Sequence, residues 1–249
     1  MYQFFIEESQ FFGEKAAILG SDVNHIKNVL RMKQGERVRV SISENGRSFF
    51  GTVAALTDDE VTIAIESEDE AGTELSNRIY LFQGLPKGDK MELIIQKAVE
   101  LGVYEIIPVA MKNCVVKLDD KKAQSKVKRW QAISESAAKQ SKRTRIPEIQ
   151  MPLSWKCALE KAKELDVVLV PYENERGMEA TREILQSIQP GQSIGIFVGP
   201  EGGFAPEEIA QVVSTETTPM HRISLGRRIL RTETAGLATL SMLVFCLDE

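Results

Sequence analysis

The chain has 249 residues, 43% hydrophobic and 27% charged, enough to bury a full core and too apolar for a disordered segment. Its three cysteines (Cys114, Cys157 and Cys246) form no CxxC pair. With only His25 and His221 beside them, no zinc site built from Cys and His is expected and no metal is assigned, although the count does not bear on a carboxylate-bound metal. The net charge of −5 conceals a basic stretch, Lys112–Arg145, where eleven Lys or Arg stand against three Asp or Glu.

The opening MYQFFIEESQ carries acid where a secretory signal carries positive charge, and it lacks a long apolar core. A cytoplasmic location is therefore expected, with no membrane segment, and an odd number of unpaired cysteines fits a reducing compartment. Residues 1–73 read as a small β-rich domain. Ser21 is placed to cap a short helix carrying Val23, Ile26, Val29 and Leu30 on one side. Arg37–Ser43 alternates apolar and polar side chains like a half-buried strand. Glu44-Asn45-Gly46 then turns the chain and Ser48–Val53 returns it. Val61–Ile65 alternates again, and Glu66–Glu74 reads as an acidic linker.

Residues 74–249 alternate strands and helices. Strands are expected at Ile79–Leu85, Glu105–Val109, Asp166–Val170, Ser193–Val198 and Met220–Leu225. Between them lie helices at Asp89–Leu101, Ala123–Gln140, Ser154–Leu165, Met178–Ile188 and Pro206–Val213, with a last helix at Thr232–Cys246. The apolar run Gly236–Leu247 is too short for a bilayer and reads as a buried helix. This alternation predicts an α/β fold with a mostly parallel sheet covered on both faces.

In such sheets ligands bind beyond the carboxyl ends of the strands. Three strand-end segments stand out: Val170-Pro171, Gly199-Pro200-Glu201-Gly202-Gly203 and Leu225–Thr234. The glycine-rich segment is either an ordinary strand-to-helix turn or a close backbone approach to a ligand. No G-x-G-x-x-G, Walker A or G-x-S-x-G pattern occurs, which removes the commonest nucleotide and hydrolase readings. Arg227, Arg228 and Arg231 gather where a helix begins, a place that disfavours cations, so either an anionic partner or a charge pair with Glu233 accounts for them. Thr232 or Thr234 would cap that helix. The basic stretch is in turn either a solvated helix face or a phosphate-binding surface.

Several segments in order resemble one family: HIKNVLRM (His25–Met32), GLPKGDK (Gly84–Lys90), IQKAVELG (Ile95–Gly102), Lys117-Leu118-Asp119, SESAAKQSKRTRIP (Ser134–Pro147), GPEGG (Gly199–Gly203) and LGRRILRTET (Leu225–Thr234). Together they resemble the ribosomal RNA small subunit methyltransferase E (RsmE) family, within the SPOUT superfamily of trefoil-knot methyltransferases. The resemblance implies a PUA-like RNA-binding barrel over 1–73 and a knotted methyltransferase domain over 74–249 that also forms a homodimer. It implies S-adenosyl-L-methionine as cofactor and N3 of a uridine in 16S ribosomal RNA, or in the small ribosomal subunit, as target. The cofactor would then lie against Leu169, Val170 and Pro171, against Gly199, Pro200, Glu201 and Gly202, and against Leu225, Gly226, Ile229, Leu230 and Arg231.

Two positions depart from the family pattern. Arg227 stands where a proline is usual, and Gln3 stands where an arginine is common near the N-terminus. Methylating N3 requires removing its proton and stabilising the anion that results. Arg228 is the expected stabiliser, since a guanidinium suits a planar oxygen-bearing anion, and Glu201 or Glu233 is either a base or structural. RNA contacts are expected from His25, Arg31, Lys33, Lys87, Lys142, Arg143 and Arg145. The competing readings are a non-catalytic RNA-binding or ribosome-assembly protein on the same scaffold and a SPOUT enzyme acting on another RNA. A doubly wound nucleotide enzyme is disfavoured by the missing phosphate-binding patterns.

Overall fold

The computed structural model describes residues 1–212 and 218–248. The chain divides into two compact units, Met1–Glu74 with Ala138–Ile146, and Leu75–Ala137 with Pro147–Glu249.

The first unit is a five-stranded sheet built from β1 (Tyr2–Ile6), β2 (Lys15–Leu19), β3 (Arg37–Ile42), β4 (Ser48–Leu56) and β5 (Glu60–Glu68), in the order β1-β3-β4-β5-β2. Only β1 and β3 pair in parallel. Register breaks at Phe50/Gly51 and Val53/Ala55 bend β4, as bulges do, and the sheet encloses Phe4, Ile6, Ile18, Val38, Val40, Ile42, Val61 and Ile63.

Three expectations need correcting here. Ser21 is the first residue of α1 (Ser21–Asn24), follows Gly20 at the cap and makes no capping bond. Helix α1 runs into a π turn over His25–Val29. The wider turn rotates Val29 off the apolar side, and it is 62% exposed while Val23 and Ile26 are buried. The acidic linker begins only after β5, and two of its carboxylates are committed: Asp69 pairs with Arg39 at 2.5 Å, and Glu74 pairs with Arg143.

Strand β3 is covered on both faces. The polar residues of its alternation, Arg39 and Ser41, are buried with Gln3. Ala138–Ile146 supplies the cover: Arg39 donates to the Lys142 carbonyl at 2.5 Å, and Gln3 Nε2 donates to the Arg143 carbonyl at 2.5 Å.

The second unit holds a parallel sheet. Its strands are β6 (Arg78–Gly84), β7 (Glu105–Ala110), β8 (Glu148–Ile149), β9 (Leu153–Ser154), β10 (Val167–Pro171), β11 (Ser193–Val198) and β12 (Met220–Ile223). The order is β12-β10-β11-β6-β7-β8, with β9 also on β7, and every pairing is parallel. The connecting helices are α2 (Lys90–Glu100), α3 (Asp120–Ser141), α4 (Trp155–Ala162), α5 (Glu179–Ser187), α6 (Pro206–Ile209) and α7 (Thr232–Leu247). Helix α6 is shorter than expected, and Val213, its expected end, lies outside the described residues.

Helix α2 buries Met91, Ile94, Ile95, Ala98 and Val99, residues spaced to one face of a 3.6-residue period. In α4 the Ser154 hydroxyl caps the helix by accepting from the Cys157 N–H at 3.3 Å. Phe82 and Phe197 stack at 4.3 Å between centroids, with Trp155 edge-on to Phe197. Helix α7 packs on β11 and α2 and buries Leu240 and Leu243, yet Phe245 is 89% exposed. Among the described residues no helix is long and apolar enough to cross a membrane.

Candidate active site

Because β12, β10 and β11 are adjacent and parallel, the segments leaving their carboxyl ends lie side by side. They enclose a cleft of about 470 Å³. Of the residues expected to hold a cofactor, Pro171, Gly199, Pro200, Glu201, Leu225, Gly226, Ile229, Leu230 and Arg231 line it. Leu169, Val170 and Gly202 do not line it. The first two are fully buried in the body of β10, whose two neighbours leave the strand interior closed, and Gly202 packs against Asn113. The wall also includes Tyr172, Glu173, Glu175 and Arg176, a charged segment just past β10 that the strand-end rule could have included.

Two glycines shape the cleft. A Cβ at Gly84 would lie 2.7 Å from the Pro200 nitrogen, so only glycine lets the GPEGG loop rest on the end of β6. Gly226 turns at φ +101, and a Cβ there would meet nothing within 4 Å. The backbone of that turn is open to a ligand.

The loops are held from behind by side chains that sequence reading missed. Thr232 does not cap α7; Arg231 occupies the cap position without a capping bond. The Thr232 hydroxyl instead donates to the Gly199 carbonyl at 2.6 Å and accepts from Gln83 Nε2 at 2.9 Å. Asn113 donates to the carbonyls of Gly202 at 3.0 Å and Gly203 at 3.2 Å. Thr232→Val would leave the buried Gly199 carbonyl without its donor, at about 1–3 kcal/mol, and cost Gln83 one of its two amide bonds, since its Nε2 still donates to the Gly84 carbonyl at 3.0 Å. A lower midpoint in chemical denaturation, together with weaker ligand binding, is the expected result; an unchanged midpoint would remove Thr232 as the staple.

Arg228, an expected catalytic residue, is exposed on the cleft wall beside Arg227. The other two, Glu201 and Glu233, converge on one lysine. Lys90 Nζ lies 2.9 Å from Glu201 Oε1 and 3.3 Å from Glu233 Oε2. Glu201 also accepts from the Lys87 backbone N–H at 3.1 Å. Burial pushes the Glu201 carboxyl up, but the Lys90 ammonium and backbone N–H groups outweigh it and hold the group below the usual carboxylate range. The Glu201 hydrogen bond, with a further contribution from Glu233, raises Lys90 in turn. Glu201 lines the cleft with Lys90, and Glu233 is not part of its lining.

The expected RNA contacts separate by burial. In the first unit His25, Arg31 and Lys33 are exposed, Arg31 in the left-handed region at φ +53. In the second unit Lys87 is exposed. Arg143 turns inward, which withdraws it from the RNA-facing set, while Lys142 is partly exposed. The Lys142 ammonium donates to the Met1 carbonyl at 2.9 Å and is lowered by burial and by Arg39. Arg143 is 3% exposed, with its guanidinium on Glu74. Arg145 is partly exposed. Gln3 is 4% exposed and presents nothing to RNA. Much of the basic stretch is neutralised where it stands, Lys112 by Glu207, Lys122 by Asp119, Arg129 by Glu92 and Lys139 by Asp22.

Residues 73–244 match a family described as RNA methyltransferase domain, and residues 18–66 one described as RNA methyltransferase PUA domain. The ribosomal RNA small subunit methyltransferase E of Bacillus subtilis (strain 168) is 36% identical over 251 residues, covering 98% of this chain and 96% of its own. The protein of that name from Mesomycoplasma hyopneumoniae (strain 232) is 37% identical over 242 residues, covering 97% and 98%. Among solved structures, a ribosomal RNA small subunit methyltransferase E from Neisseria gonorrhoeae bound to S-adenosyl methionine superposes with a TM-score of 0.84. It is 30% identical and covers 99% of this chain and 98% of its own.

Proposed function

The chain belongs to the RNA methyltransferase family that includes the ribosomal RNA small subunit methyltransferase E proteins, and on that premise we propose that it methylates small-subunit ribosomal RNA with S-adenosyl-L-methionine. The target is N3 of a uridine in 16S ribosomal RNA. The observation that carries this reading is the cleft itself, walled by backbone from three adjacent strand ends and bordered by Arg228. Its open side at Gly226 and its mixed acidic and arginine lining suit a ligand with adenosine, amino-acid and sulfonium parts.

When bound, S-adenosyl-L-methionine supplies a methyl group on a sulfonium, ready for in-line displacement. The chain's own residues position the base, exclude water and handle one proton. Arg228 donates to the uracil oxygens as N3 loses its proton, stabilising charge spread over O2 and O4. Glu201, which lines the cleft, receives the proton, while Glu233 pairs with Lys90 outside the lining. Residues 1–73 serve RNA binding, with His25, Arg31 and Lys33 as contacts, and Lys87 meets the RNA from 74–249. The knotted threading of the family and a cytoplasmic location go with this reading. A homodimer goes with it too.

The test is nucleoside mass spectrometry of ribosomal RNA from cells with and without the gene. Loss of N3-methyluridine from 16S ribosomal RNA, restored by the gene, is the expected result. Unchanged N3-methyluridine would end this reading of the substrate.

A further inference from the structure

We propose that Lys90 is a positioning residue of the cleft: its ammonium ties Glu201, on the loop after β11, to Glu233, in the first turn of α7, and so fixes the carboxylate the reaction uses. The inference rests on the methyltransferase reading and adds one residue to its site.

The placement of Lys90 is not explained by its helix. It is the first residue of α2, where the macrodipole is positive and a cation is disfavoured. Two carboxylates within 3.3 Å of its Nζ supply the compensation, and they come from segments far away in sequence. Both contacts are ion pairs, and Lys90 itself lines the cleft. Removing the cation would leave two glutamates facing each other, an arrangement that raises the affinity of one of them for a proton.

The other groups around Glu201 do not replace Lys90. The Lys87 backbone N–H stays in place and the Cys114 thiol is uncharged and raised by burial. Glu208, on α6, accepts from the N–H groups of Lys112 and Ala205. Arg228 and Arg231 line the cleft without an ion pair among the described residues. Without Lys90, burial and Glu233 both push the Glu201 carboxyl upward, so its protonation moves to higher pH. A base that must be ionised would then fail at a higher pH than in the unaltered chain.

The experiment uses the full chain carrying glutamate labelled with ¹³C at the side-chain carboxyl, titrated by NMR without cofactor or RNA. Glu201→Gln assigns the signal. In the unaltered protein the Glu201 midpoint should lie below that of an ordinary glutamate. In Lys90→Met it should rise by about 1–2 pH units, and Lys90→Arg should bring it back toward the original value. The acidic limb of the pH profile of kcat/KM for ribosomal RNA methylation should move in the same direction. If Lys90→Met does not fold, Lys90→Gln removes the charge and keeps a donor. An unmoved Glu201 midpoint overturns the inference. A protein that methylates RNA with an unmoved acidic limb in Lys90→Met overturns the role of the tie and leaves the methyltransferase reading standing. A protein that titrates as expected but transfers no methyl group overturns that reading and leaves the Lys90–Glu201 tie intact.

Discussion

Arg228→Ala should retain cofactor binding and lose about 10²–10³-fold in turnover, the scale seen when one preorganised donor to a developing anion is removed. Arg228 is exposed, lines the cleft and holds no ion pair among the described residues, so its loss orphans no buried partner. Stability should therefore stay within about 0.5 kcal/mol, as for an ordinary surface substitution. Its energy is spent on the substrate's charge, which builds up only as N3 is deprotonated. Single-turnover methylation of ribosomal RNA, set beside a calorimetric titration of S-adenosyl-L-methionine, separates the two effects. Methylation at the original rate would take Arg228 out of the mechanism, and loss of cofactor binding would make it a binding residue.

Arg39→Ala should be the most destabilising single change in the first unit, by about 3–5 kcal/mol. The Arg39 side chain is 4% exposed, and its fork meets Asp69, the Gln3 amide oxygen and the Lys142 carbonyl at 2.5, 3.2 and 2.5 Å. Truncation leaves Asp69 without its cation and the Gln3 amide oxygen without the Arg39 donor, both in a place that water reaches poorly, while the Thr73 hydroxyl still donates to the Lys142 carbonyl at 2.7 Å. Arg39→Lys keeps the charge but cannot span all three partners, so an intermediate loss is expected. Urea denaturation followed by fluorescence measures both. A loss below about 1 kcal/mol for Arg39→Ala would mean the network holds nothing together.

Much of the architecture was legible because it depends on local pattern. The alternation in Arg37–Ser43 and Val61–Ile65 located β3 and β5, and the apolar spacing from Met91 to Ala98 located α2. Strands β1 and β2 escaped notice because YQFFI and KAAIL carry no regular alternation. The π turn at His25–Val29 escaped because one shifted hydrogen bond leaves no trace in composition. The cleft was legible in its backbone, since glycines after strands announce a ligand loop. It was not legible in its supports. Gln83 and Thr232 are 149 residues apart, Asn113 and Gly202 are 89 apart, and Lys90 meets Glu201 and Glu233 only through sheet order. Arg143 was misread for the same reason: a basic stretch looks solvated until its distant carboxylate, Glu74, is known.

The discontinuity of the first unit bears on how the polypeptide matures during synthesis. A ribosome that has reached Glu74 has delivered every strand of the N-terminal sheet, yet β3 still has one face uncovered. Its lid arrives only after Leu75–Ala137 has emerged. Until then Arg39 and Gln3 lack the carbonyls of Lys142 and Arg143 that complete them. The domain that begins first therefore finishes late, and a gene fragment ending at Glu74 encodes all of its strands without the piece that closes it.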